Sequence, residues 1–245
     1  MGKSNRSKIG YWRSTRQPLY GFLAVVPLIL FYEIIALTLN QNQTLGIRNG
    51  ADVLLKQTLA TLGIHGPVAY SAILMVLLGL IYWRQQKTLH IRVRPLFFVF
   101  MFLESLFYAA FLGMAVAGLT NVVISRLSLM QPNLELDLLS KIMLALGAGV
   151  YEELFFRVLI ISVLYLLMTK VMGINRIVSY IVAALIASVL FSAFHYIGPL
   201  GDTFEFYTFI FRFLAGLIFS ILYILRGFGI VAYTHALYDL LLILR

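Results

Sequence analysis

Runs of about 20 apolar residues recur along the 245-residue chain, and they restrict its fold more than any other feature. As an α-helix, each run is long enough to cross a hydrocarbon layer ~30 Å thick. With 61% hydrophobic and 12% charged residues, the chain fits a polytopic membrane protein rather than a soluble domain. The pattern predicts an all-α, polytopic transmembrane helical bundle of about seven spans. They lie near 19–40, 67–83, 96–119, 139–170, 177–196, 206–225 and 229–244. The run 139–170 corresponds to ~48 Å of helix, so it begins outside the bilayer, tilts, or bends near Gly147 and Gly149. The shorter amphipathic stretch 51–62 is expected to lie at the membrane interface.

Charge supplies the orientation. The net charge is +9, and 12 of the 19 Lys and Arg residues fall before the first span or in alternate loops. These are 1–18, 84–94, 170–176 and the position of Arg226. An excess of Lys and Arg marks the cytoplasmic side, which puts the N-terminus in the cytoplasm. Topology and anionic lipid account for the basic balance, so no nucleic-acid partner is implied. The localisation expected is integral, multi-pass and in the plasma (inner) membrane. The first run carries Glu33 and shows no small-residue cleavage site, so it reads as a retained helix rather than a cleaved signal. The absence of cysteine removes thiol proteases, thiolate zinc sites and disulfides. Without a Pro- or Ser-rich linker or a fixed-period repeat, the division is a basic N-terminal segment, 1–18, and a single integral membrane domain, 19–245.

The chemistry concentrates after residue 149. Glu152 and Glu153 stand together in GAGVYEELFFRVLI. A charge there costs ~2.5–3.5 kcal/mol at the centre of an isolated spanning helix. Neighbours lie ~100° apart around a helix and cannot share a face. Glu153 and Arg157, at i,i+4, can meet, which leaves Glu152 pointing elsewhere. A lone carboxylate in a dry bundle is a candidate general base. In FSAFH, Phe191 and His195 share a face; in HALYD, His235 and Asp239 do. Each histidine has a plain alternative, a carbonyl-bonded ring at a helix end or a helix-stabilising pair. Glu104 and Arg212 read as structural ion-pair partners, and Glu33 as the same or as a cavity-lining group.

Taken in order on successive apolar helices, EELFFR, FSAFH and HALYD resemble the motifs Glu-Glu-x-x-x-Arg, Phe-x-x-x-His and His-x-x-x-(Asn or Asp). These belong to the CAAX-protease and bacteriocin-processing family, which includes the type II CAAX prenyl endopeptidases. The resemblance covers about 140–245 and puts a protease-like core at about 139–245, in the last four spans. It implies a glutamic intramembrane endopeptidase acting on a membrane-associated or lipidated peptide, with no cofactor and no metal. By position, Glu152 would activate water, His195 would orient or share it, and His235 with Asp239 would bind the oxyanion. Glu153 and Arg157 would support them. The endopeptidases carry Asn where this chain has Asp239, and an ionised carboxylate can only accept. Asp239 would be protonated, or would orient His235 as the donor.

Two rival readings follow from the same residues. Two histidines with carboxylates also suit a His₂-carboxylate metal site, although no HExxH occurs. A polar interior also serves a transporter, scaffold or immunity protein, although no repeat of the transporter kind is present. One conflict stands in the span assignment. Counted at ~1.5 Å per residue from the cytoplasmic ends, Glu152 and His195 lie ~27 Å in, but His235 only ~9 Å. They meet only if the turn near Gly227 is sunk in the protein or the span ends are displaced.

Overall fold

The computed structural model describes residues 10–40, 46–66, 73, 76–77, 80, 83–84, 93–119, 136–198 and 201–243. Five helices in it are long and apolar enough to cross a membrane, which makes the chain an α-helical membrane bundle. Most of the expected span 67–83 and most of the connection 120–138 lie outside the described residues.

Eight helices are labelled in chain order. A short α1 (Tyr11–Thr15) leads into α2 (Pro18–Leu39), and α3 (Gly50–Thr61) follows. Next come α4 (Pro95–Leu119), the long α5 (Leu138–Val171) and α6 (Arg176–Phe194). The chain closes with α7 (Phe206–Arg226) and α8 (Phe228–Ile243). Four of the starts carry a mark in the sequence. Pro18 opens α2, where a missing N–H costs nothing. Asn49, Asp137 and Asn175 cap α3, α5 and α6 by accepting from Ala51, Ser140 and Ile177 N–H groups. Gly227, at φ 84°, makes the sharp turn from α7 to α8, a backbone conformation that favours glycine.

On α4, Val99, Leu103, Phe107 and Phe111 form an exposed stripe at i,i+4 spacing, while Phe97, Met101, Ser105 and Ala109 are buried. The apolar stripe faces outward, as suits lipid rather than water. By contrast α8 is buried almost without interruption from Phe228 to Ala236. It packs against α2, α4, α5 and α7 and is the central helix of the bundle. Small residues permit the close crossings. Gly21 and Gly229 touch backbone to backbone, and Ser105 Oγ donates to the Ile230 carbonyl at 3.2 Å.

Near Gly147 and Gly149 the winding of the long helix changes. From Ala148 to Ile161 the helix α5 widens into π-type turns, returns to α at Ser162–Leu166, and widens again at Leu167–Val171. Runs of π winding are rare and concentrate at functional sites. A Cβ on Gly149 would sit 2.7 Å from Ala236 Cβ and 2.9 Å from Ala236 N on α8. Gly149→Val is therefore expected to force α5 and α8 apart and destabilise the protein by ~1–3 kcal/mol. A fall in the thermal midpoint of the detergent-solubilised protein checks this; an unchanged midpoint contradicts it.

Candidate active site

Glu152 and Glu153 lie on the widened part of α5, both buried. Glu153 is fully enclosed. Its Oε1 is 3.1 Å from Arg157 Nη1, the i,i+4 pair expected from the sequence, and 2.7 Å from His235 Nδ1 on α8. A carboxylate oxygen only accepts, so His235 donates from Nδ1. His235 Nε2 is then 3.6 Å from Asp239 Oδ2, and the ring stacks on Phe219 with centroids 4.4 Å apart. Arg157 is also fully buried. It donates from Nη2 to the Gly216 carbonyl at 3.2 Å and lies 4.4 Å from the Phe191 ring centroid. The guanidinium thus joins α5 to α6 and α7 through one charge, a planar donor set and an aromatic face.

Glu152 points away from that pair, as the ~100° offset between neighbours requires. Its Oε1 accepts from Asn49 Nδ2 at 2.8 Å. Its Oε2 is buried with no hydrogen-bond partner among the described residues. His195 follows the last residue of α6, and its Nδ1 is 2.8 Å from the Phe191 carbonyl. A carbonyl cannot donate, so Nδ1 carries the proton and the neutral ring keeps a lone pair at Nε2. The carbonyl-bonded ring at a helix end is therefore part of what aims His195. Among the described residues no three His, Asp or Glu side chains converge as metal ligands.

The stagger of the helices removes about half of the ~18 Å depth difference. Ser162 Oγ is 3.3 Å from Tyr223 Oη, and Ser188 Oγ is 3.4 Å from Ser220 Oγ. Counting ~1.5 Å per residue outward from either pair leaves the end of α7 about 9 Å inside the ends of α5 and α6. The turn at Gly227 is recessed, so α8 starts deep and His235 reaches Glu153. Arg226, read from sequence as a loop charge, is 3% exposed. It ion-pairs with Glu104 on α4, with Nη2–Oε2 at 2.7 Å, and donates to Thr15 Oγ1 at 3.1 Å. That pairing lets a charged helix end sit inside the bundle. Glu104 is thus structural, as expected, and Arg212 pairs with Asp202.

The first half of the chain contributes more than its sequence disclosed. Asn49 reads as a helix cap, and nothing in its neighbourhood signals contact with Glu152. Beside it, Arg48 and Lys56 bind Glu33 and Asp52 at 2.8–3.2 Å, and Tyr151 donates to Glu33 at 3.0 Å. Burial opposes the charge on Arg48, but Glu33 and Asp52 outweigh it and raise its pKa above the usual range. The stretch 51–62 is the helix α3, whose first turn is buried at Ala51 and Asp52 and held by this cluster.

Residues 134–241 match the family described as Type II CAAX prenyl endopeptidase Rce1-like. The match takes in α5 to α7, most of α8 and all seven residues of the three motifs, but not Asn49 or the Glu33 cluster. No curated protein and no solved structure matches the chain significantly.

Proposed function

From the match of residues 134–241 to the Rce1-like family, we propose that the chain belongs with the CAAX-protease and bacteriocin-processing proteins and is a glutamic intramembrane endopeptidase. Its substrate is a peptide that reaches the bilayer, membrane-associated or lipidated. In this reading Glu152 Oε2 takes a proton from a water that His195 Nε2 also holds. The water oxygen attacks the scissile carbonyl carbon. His235, oriented by Glu153, stabilises the oxyanion that forms. The C–N bond then breaks, and the proton on Glu152 passes to the leaving nitrogen. No acyl-enzyme forms and no metal takes part.

One observation carries the reading: among the described residues, Glu152 is a buried carboxylate with one oxygen on Asn49 and the other without a hydrogen-bond partner. Glu104, Glu33 and Glu153 are by contrast each held in an ion pair. The partner that orients His235 is Glu153, through Nδ1, and Asp239 lies 3.6 Å from the Nε2 left to donate. The single membrane domain 19–245, the cytoplasmic N-terminus and the plasma-membrane location are parts of the same proposal.

The test is cleavage of a prenylated CAAX peptide by the purified chain in lipid nanodiscs, with the new C-terminus identified by mass spectrometry. No product from prenylated or unmodified peptides would count against the enzyme reading. Asp239→Asn is expected to keep activity within about tenfold of the parent, since the amide can still accept from His235 or can donate itself. Asp239→Ala is expected to lose ~10²-fold in kcat. Equal rates in all three proteins would remove Asp239 from the mechanism.

A further inference from the structure

We propose that Asn49 is a positioning residue for Glu152, so that a residue outside the family-matched stretch completes the site. The inference rests on Glu152 acting as the base. Asn49 is 6% exposed and sits 103 positions before Glu152 in the chain. Its side chain is committed at both ends. Oδ1 accepts from Ala51 N–H at 2.9 Å as the cap of α3, and Nδ2 donates to Glu152 Oε1 at 2.8 Å. Turning the amide over would oppose two acceptors at Glu152 and two donors at Ala51. The orientation is therefore set by two independent contacts.

The backbone around Asn49 is held as firmly. Its N–H donates to Tyr32 Oη at 3.2 Å, and Tyr32 donates to Asp52 Oδ2 at 2.8 Å. Asp52 is gripped by Arg48 and Lys56. On the other side, a Cβ on Gly147 would lie 2.8 Å from Asn49 Cβ, so only glycine lets α5 approach this closely. A carboxylate turns easily about its last torsion, which is broad and two-fold. Pinning Oε1 decides where Oε2 points, and Oε2 is the oxygen without a partner. Such orientation of a reacting group is worth up to ~10²-fold in rate for displacements of ~1 Å.

The experiment compares Asn49→Ser and Asn49→Asp with the parent, as full chains in nanodiscs cleaving the same peptide. Serine and aspartate both keep the helix cap. Serine is too short to reach Glu152, and aspartate has no N–H to offer it. Both variants are expected to lose ~10–100-fold in kcat, with KM within about twofold; the serine variant retains the thermal midpoint, whereas the aspartate variant, which sets a second carboxylate against Glu152, has a lower one. The aspartate variant keeps the side-chain length, so a packing loss in the serine variant alone does not decide the matter. The proposal is overturned if both variants keep kcat within twofold of the parent, or if the loss falls on KM alone. Glu152→Gln separates this from failure of the underlying reading. An inactive Glu152→Gln beside fully active Asn49 variants sinks only the positioning role, whereas an active Glu152→Gln removes the base itself.

Discussion

Glu152→Gln is expected to abolish peptide cleavage while leaving the protein folded. A general base contributes ~10²–10⁴-fold, and glutamine cannot take a proton from water. It has the same size, however, and its amide oxygen can still accept from Asn49 Nδ2, the contact now made by Glu152 Oε1 at 2.8 Å. Abundance in the membrane and the thermal midpoint should therefore match the parent. Cleavage of the prenylated peptide and the unfolding transition are the paired measurements. Full cleavage by this variant would end the glutamic reading. Loss of cleavage together with loss of folded protein would instead make Glu152 a structural residue.

Removing Arg157 is expected to produce the largest loss of stability. Arg157 and Glu153 are both fully buried, and the guanidinium also serves the Gly216 carbonyl and the Phe191 face. Truncating one partner of a buried pair leaves the other charge uncompensated, at a cost of ~3–5 kcal/mol. Arg157→Met fills much of the space but leaves Glu153 with only His235. Arg157→Lys restores the charge without the planar donor set, so only partial recovery is expected. A double variant with Glu153→Gln should regain much of the loss, because no lone charge then remains. Denaturation in mixed micelles reports all three. An Arg157→Met protein that unfolds like the parent would mean that Glu153 is satisfied without its pair, and that the buried charges do not hold α5 to α6 and α7.

Five of the seven expected spans and the i,i+4 relations were legible because both are local. An apolar run of given length makes a spanning helix wherever it packs, and four residues along a helix lie on one face whatever surrounds them. Hence Glu153 meets Arg157, Phe191 lies beside His195, and His235 lies near Asp239, as the spacing predicts. The motif order carried the family in the same way, since it needs only sequence. The π widening of α5 left no comparable mark. Neither did the role of the first half, which lies outside the stretch that matches the family.

What the chain determined alone is therefore its solvent, its helices and the division of EELFFR into a paired carboxylate and a second one facing elsewhere. The tertiary structure decided what that second carboxylate faces. It recessed the α7–α8 turn by about 9 Å, set His235 against Glu153, and brought Asn49 to Glu152. The reason is physical. Hydropathy specifies that a helix is in the bilayer but not how far it slides along its neighbours. That stagger comes from buried pairs such as Arg226 with Glu104 and from glycine contacts such as Gly21 with Gly229, which exist only once the helices are packed.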